Sequence, residues 1–260
     1  MNIIGIIPAR MASTRFPNKP MANILGIPMI GHCLKRSLMC NLLTDVYVAT
    51  CDKVIHDYIE SIGGKAIMTL DTHERAADRT AEAMLKIEKK IGKKIDIVVL
   101  LQGDEPMTNA SMIESAVKPL LDDSNLKITN LYATIGSIEE FENPNEVKVV
   151  LDCESNALYF SREPIPSRKK GVTDVPMYKQ VCVIPFRRDF LFEYNEMEQT
   201  QLEIIESVDM MRVLENGIKI KMVYIQEDNF SVDTQEDLEN VIELMKKDEL
   251  VKSYIKWEFF

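Results

Sequence analysis

Three permanent cations, Arg10, Arg15 and Lys19, stand close together in the stretch Pro8-Ala9-Arg10-Met11-Ala12-Ser13-Thr14-Arg15-Phe16-Pro17-Asn18-Lys19-Pro20, directly after the apolar run Ile3-Ile4-Gly5-Ile6-Ile7. A short buried strand that runs into a turn-rich segment is the layout of a ligand loop at the carboxyl end of a sheet strand. Guanidinium forks, an ammonium, two hydroxyls and several backbone N–H groups together suit a polyphosphate, whose charge backbone donors alone would not neutralise. The competing reading is an exposed basic loop after an edge strand.

A second stretch, Val98-Val99-Leu100-Leu101-Gln102-Gly103-Asp104-Glu105-Pro106, ends a buried strand with a carboxylate. Beside a polyphosphate site, Asp104 is placed to hold Mg²⁺, a hard cation that takes oxygen ligands. Asp-Glu-Pro is equally a turn or a helix start. In Phe230-Ser231-Val232-Asp233-Thr234-Gln235-Glu236-Asp237, Thr234 and Asp237 have capping-box-like spacing, and Asp233 just before them is a second candidate metal carboxylate. Arg79, Arg162, Glu206 and Asp209 are further polar candidates, each also readable as a solvated charge. Glu206 and Asp209 are three apart within a helical run over 202–214, which predicts one shared helix face. His32, His56 and His73 have no common partner, so no acid–base triad is assigned.

The elements that position these residues alternate. Strand-like runs at 3–7, 46–50, 65–69 and 95–101 are separated by amphipathic stretches at 30–40, 53–61, 76–91 and 110–121. Strand–helix alternation with short connections predicts an α/β fold with a mostly parallel sheet covered on both faces. From about residue 147 the pattern changes: 147–151, 157–160 and 180–184 predict a mixed or antiparallel strand set. The stretch 164–176, rich in Pro, Lys, Arg and Gly, reads as a mobile loop. A strand at 219–225 and a helix at 235–247 follow, and the tail Trp257-Glu258-Phe259-Phe260 ends apolar.

At 260 residues, 46% of them hydrophobic, the chain holds a full core and is one large domain or one domain with a small subdomain. A net charge of −10 argues against nucleic acid as a partner. Five cysteines without C-x-x-C spacing predict reduced thiols in a cytoplasmic protein. No apolar stretch is long enough to enter a bilayer as a spanning helix. There is neither G-x-x-x-x-G-K-[ST] nor G-x-G-x-x-G, which removes the main support for kinase, P-loop ATPase and dinucleotide dehydrogenase readings.

Taken together, Ile6-Ile7-Pro8-Ala9-Arg10-x-x-Ser13-Thr14-Arg15-x-Pro17-x-Lys19-Pro20, Gln102-Gly103-Asp104-Glu105-Pro106, Asn143-Pro144-Asn145-x-Val147-Lys148, Ala157-Leu158-Tyr159-Phe160-Ser161-Arg162 and Val232-Asp233-Thr234-x-Glu236-Asp237 resemble the CMP-Kdo synthetases (3-deoxy-manno-octulosonate cytidylyltransferases) in register from about residue 3 to about residue 245. The resemblance implies a Rossmann-like nucleotidyltransferase that couples CMP from CTP to an acidic sugar and releases pyrophosphate, with Mg²⁺ as cofactor. The whole chain would be one cytidylyltransferase domain. A small mixed subdomain at about 155–200 would bind the acceptor and form a homodimer, with 164–184 near the dimer contact. By matching positions, Arg10, Ser13, Arg15 and Lys19 would hold the CTP phosphates, with Ala9, Arg79 and Asp104 also at the nucleotide. Arg10, Arg15, Lys19 and Asp104 would carry catalysis, and Asp104 and Asp233 would bind the metal. Gln102, Arg79, Arg162, Gln180, Glu206 and Asp209 would face the sugar acid. Such enzymes supply surface glycans such as lipopolysaccharide.

The chain also departs from the family pattern. Gln180 and Ile184 replace a sugar-contacting His and Tyr, Arg75-Ala76-Ala77-Asp78-Arg79 stands for Ser-Gly-Thr-Glu-Arg, and Met210 replaces a Gln. Unpaired polar groups discriminate strongly between substrates, so these changes predict retained chemistry with an altered acceptor, a related ulosonic acid or a different acid such as a phosphonate. Arg75 would favour a more anionic acceptor if it points inward; otherwise it is an exposed charge at a helix start. A nucleotide-binding non-enzyme of the same fold is the other alternative, and it would not need both Asp104 and Asp233.

Overall fold

A computed structural model describes residues 1–12, 16–172, 174–227 and 229–255. In chain order the elements are β1 (Ile3–Ala9), β2 (Asn23–Ile24), β3 (Ile27–Pro28), α1 (Met29–Ser37), β4 (Asp45–Thr50), α2 (Lys53–Ser61), β5 (Ala66–Met68), α3 (Ala76–Ile91), β6 (Ile97–Leu100) and α4 (Ala110–Asp122). They continue as β7 (Thr129–Thr134), α5 (Ile138–Glu142), β8 (Lys148–Leu151), β9 (Ala157–Ser161), β10 (Tyr178–Val181), β11 (Ile184–Arg187), α6 (Arg188–Glu196), α7 (Gln201–Glu206), α8 (Met210–Glu215), β12 (Lys221–Tyr224), α9 (Gln235–Met245) and α10 (Glu249–Tyr254). The chain divides into two compact units, Met1–Ile95 with Leu100–Ile113 and Asn229–Phe260, and Asp96–Val99 with Glu114–Asp228.

In the first unit, β1 pairs in parallel with β4, and β4 in parallel with β5. Strands buried on both faces need near-continuous apolar sequence, and Ile3, Ile4, Ile6 and Ile7 are each at most 4% exposed. The intervening helices cover the sheet: α3 turns Ala77, Ala81, Ala83, Met84 and Ile87 inward and closes at Gly92 in the left-handed region. Arg36, on α1 and 3% exposed, ties three segments together. Its Nε and Nη2 donate to the Thr108 and Met107 carbonyls at 3.0 and 2.8 Å, and its Nη1 lies 2.6 Å from Asp248.

The second unit is built on a mixed sheet in the order β12-β7-β10-β8-β9, parallel only between β12 and β7. The expected mixed strand set is present with two changes. The run 180–184 is two strands, β10 and β11, because the Val183 N–H folds back on the Val181 carbonyl at 2.9 Å in a three-residue turn. Strand β7, paired on both sides by β12 and β10, carries buried Thr129 and Asn130 in place of apolar residues and is not predicted from the pattern. The helical run over 202–214 is also two helices. Ser207 takes a left-handed φ of 51°, the Val208 amide donates to the Glu203 carbonyl, and α7 ends at Glu206. Glu206 and Asp209 therefore do not share one helix face.

No disulfide joins the five cysteines, and among the described residues no helix is long and apolar enough to cross a membrane. The C-terminal Trp257–Phe260 lie outside the described residues.

His32, fully buried on α1, fixes the C-terminal helix to the first unit. Its Nε2 is 2.8 Å from the Ile24 carbonyl, which only accepts, so Nε2 carries the proton and Nδ1 accepts from the Tyr254 hydroxyl at 2.8 Å. Burial pushes the imidazole down to about 4. A histidine held neutral in the fold stabilises it fully above its unfolded value near pH 6.5, and that contribution is lost as pH falls towards 4. Urea unfolding at pH 7 and pH 4.5 should show the native chain losing on the order of 2–3 kcal/mol from this group, a loss that the non-titrating His32→Gln variant lacks.

Candidate active site

Beyond the carboxyl end of β1 lies a cavity of about 400 Å³, lined by Pro8, Ala9, Arg10, Ala12, Lys19 and Pro20, by His73, Glu74, Arg75, Ala76 and Arg79, and by Gln102, Gly103 and Asp104. Its size is that of a small-molecule site, and its charged lining is mostly cationic. All fourteen residues belong to the first unit.

Lys19 opens a single 3₁₀ turn, Lys19–Met21, whose shape is set by Asn18 at φ 60° and by Pro20. The Met21 amide donates to the Asn18 carbonyl at 2.9 Å, so the backbone beneath Lys19 is fixed. From there the Lys19 ammonium reaches Asp104 Oδ2 at 2.5 Å and Asp233 Oδ1 at 3.1 Å. Burial alone would pull its pKa down, yet the two carboxylates outweigh that and hold it above the ordinary lysine value.

Each carboxylate has its own scaffold. Asp104 sits on the turn after β6, brought against β1 because residue 103 has no side chain: a Cβ there would stand 3.0 Å from the Pro8 carbonyl. The Val232 amide donates to the Asp104 carbonyl at 2.9 Å, and Asn229 Nδ2 lies 2.5 Å from the buried Glu105 carboxylate. These bonds bring the segment before α9 alongside the Asp104 turn. The Thr234–Asp237 capping box is formed as predicted, and Asp237 also accepts the Asp233 amide at 3.0 Å. Thr234 is thus a cap and Asp233 turns into the site, two roles that coexist.

The opposite wall is hung on Arg79. This guanidinium, 2% exposed, donates to Thr69 Oγ1 at 2.5 Å and to the Leu70 and His73 carbonyls at 3.1 and 3.2 Å. Arg10 Nη1 reaches the same His73 carbonyl at 3.5 Å. Burial alone would push Glu82 up, but Lys86, the Leu70 amide and His73 hold it down to about 2, a buttress behind the wall. Sequence reasoning missed His73 and Glu74 as lining. Their place in the loop after a parallel strand was the available signal.

Four more of the expected residues, Arg162, Gln180, Glu206 and Asp209, lie in the second unit. Arg162 and Glu206 lock together: the Glu206 carboxylate accepts from the Tyr159 and Ser161 hydroxyls and the Arg162 amide at 2.9–3.1 Å, while Arg162 donates to the carbonyls of Glu206, Ser207 and Pro144. Gln180 is half-buried on β10, opposite Tyr132 of β7, and Asp209 precedes α8. Ser13 and Arg15 lie outside the described residues.

The site fits a divalent cation. Two carboxylates converge on one ammonium, which already occupies the position between them as a stand-in cation. Among the described residues no cluster of three or more His, Cys, Asp or Glu side chains could hold a metal. Asp104 and Asp233 would hold Mg²⁺ there, with its remaining oxygen ligands drawn from phosphate and water.

Parallel strands that end at a cationic cavity with facing carboxylates are the architecture of an α/β nucleotidyltransferase. A 4-diphosphocytidyl-2C-methyl-D-erythritol synthase from Anaerococcus prevotii, 14% identical, shares the fold at a TM-score of 0.61 over 94% of this chain and 98% of that one. Residues 4–220 match the family model described as cytidylyltransferase, and the chain belongs to that family. It is 41% identical over 95% of its length to the whole 3-deoxy-manno-octulosonate cytidylyltransferase of Geotalea uraniireducens, and 40% identical to that of Fusobacterium nucleatum over 96% of this chain and 99% of that one. A CMP:2-keto-3-deoxy-manno-octonic acid synthetase solved with CTP superposes at a TM-score of 0.87 with 36% identity, covering 95% and 99% of the two chains.

Gly103→Ala should force the Asp104 turn away from the Pro8 carbonyl. The expected result is a loss of about 1–3 kcal/mol in denaturant unfolding and a higher KM for nucleotide, with the acceptor KM unmoved.

Proposed function

We propose that this chain is a cytoplasmic, Mg²⁺-dependent, homodimeric enzyme that transfers CMP from CTP to 3-deoxy-manno-octulosonate (Kdo) and releases pyrophosphate. The Lys19–Asp104–Asp233 cluster at the mouth of a cationic cavity is the observation that carries the reading. The acceptor and the nucleotide are those in the names of full-length relatives near 40% identity and of the CTP-bound structure.

In this reading the cavity takes the triphosphate. Arg10, Arg15 and Lys19 neutralise it, Ser13 donates a hydrogen bond to it, and Ala9 and Gln102 line the space. An acceptor hydroxyl oxygen attacks the α-phosphorus, a new P–O bond forms, and the bond to the bridging oxygen of the β-phosphate breaks. The cationic side chains stabilise the negative charge that grows on the pentavalent centre and on departing pyrophosphate. Mg²⁺ held by Asp104 and Asp233 would supply further charge neutralisation at the phosphates. The anomeric hydroxyl of a 2-keto acid is acidic for an alcohol, and no side chain is assigned as its base. Arg79 shapes the wall through its three acceptors. Arg162, Glu206, Gln180 and Asp209 are assigned to the acceptor, and the stretch near 155–200 to acceptor binding and dimerisation.

A second reading, a related ulosonic acid or a phosphonate as acceptor, draws on Gln180, Ile184 and Met210 at altered positions and on Arg75 in the cavity lining. Pyrophosphate release with CTP and Mg²⁺ against Kdo, its 8-amino form, sialic-type acids and small phosphonates separates the two. Turnover fastest with Kdo supports the first reading, and turnover confined to another acid replaces it. Asp104→Asn and Asp233→Ala should each lower kcat by about 100-fold or more. Full activity of Asp233→Ala would remove that residue from the site.

A further inference from the structure

We infer that Lys19 has a second role besides phosphate binding: it is the resident counter-ion of the carboxylate pair, and it must be displaced before a divalent cation can bind there. The inference rests on the assignment of Asp104 and Asp233 as metal carboxylates.

Three observations carry it. The ammonium bridges both carboxylates, at 2.5 Å to Asp104 and 3.1 Å to Asp233, and so stands where a bridging metal would stand. The three side chains are 13%, 29% and 17% exposed, dry enough that the charge of the ammonium counts strongly against the mutual repulsion of the carboxylates. The backbone under Lys19 is held by the 3₁₀ turn, and the residue also lines the cavity. Rotation of a four-carbon stem therefore suffices to carry the ammonium from the carboxylates to an entering phosphate.

The exchange takes the cluster from a net charge of minus one to neutral, because a divalent cation replaces a monovalent one. When metal and nucleotide arrive together, the carboxylates trade one cation for another, and the released ammonium pairs with a phosphate oxygen. When the metal arrives alone, the ammonium is displaced with no anion to receive it. Divalent cation binding is thereby coupled to nucleotide binding, and the coupling is reciprocal. A latch closed about nine-tenths of the time weakens the apparent affinity for free metal about tenfold.

The test is titration of the full chain with Mn²⁺ in the absence of nucleotide, reading free Mn²⁺ by electron paramagnetic resonance. The native chain should bind weakly. Lys19→Met should bind about tenfold more tightly, and that gain should vanish when Asp104→Asn and Asp233→Asn are added. Lys19→Arg, which keeps the charge, should stay as weak as the native chain. If Lys19→Met folds poorly, Lys19→Gln tests the same direction. Neutral variants that bind Mn²⁺ no more tightly than the native chain overturn the latch while leaving the metal assignment intact. Failure of the metal assignment has its own signature: the native chain with CTP would bind Mn²⁺ equally well after Asp104→Asn and Asp233→Asn.

Discussion

One ion cluster organises the first unit. Lys19, Asp104 and Asp233 come from the loop after β1, the turn after β6 and the approach to α9, segments 85 and 214 residues from Lys19 along the chain. Each has its own backbone scaffold: a 3₁₀ turn sets the lysine, a side-chain-free position seats one carboxylate, and a helix cap aims the other. The cluster itself is poorly solvated, and its net charge of one negative is smaller than the two negatives of the carboxylate pair left bare. Removing any member costs more than the bond it makes, because the others remain partly buried without it.

Local chemistry was legible wherever one residue type had one physical use. The apolar run of β1, the helices α2 and α3 with the boundaries expected for them, and the Thr234–Asp237 cap follow from periodicity and capping alone. The cationic loop and the two aspartates were equally visible, and the structure joins Lys19 to both. Pattern reading failed where a short-range backbone event overrode it. The turn at Val181–Val183 cuts the strand-like run 180–184 in two, and Ser207 in a left-handed conformation cuts a helix whose pattern continues through it. Strand β7 escaped because Thr129 and Asn130 fill core positions with polar groups.

The second unit hides its organising residues for a related reason. Lysine and arginine are ordinarily read as surface, yet Lys148 is fully buried and spends its ammonium on the carbonyls of Asn143, Glu146 and Arg162. Burial pulls that lysine's pKa below the ordinary value. Arg212 makes a bidentate pair with Glu203, at 2.7 Å in both bonds, over the face of Tyr194. Lys179 reaches Glu140 and Glu146 in the same manner. These cations clasp loops whose own sequences carry no periodic signal, and Arg162 and Glu206 inherit their positions from that framework.

Arg79 holds the cavity wall mainly through main-chain oxygens: two of its three acceptors are carbonyls, which every amino acid possesses. A wall anchored in this way keeps its course whatever side chains it displays. Substitution at 74–76 therefore leaves these anchoring bonds in place, and drift there samples new ligand contacts on an unchanged frame. Evolution can rewrite that lining one residue at a time, and Arg75 and Ala76 stand on the stretch of chain open to such rewriting.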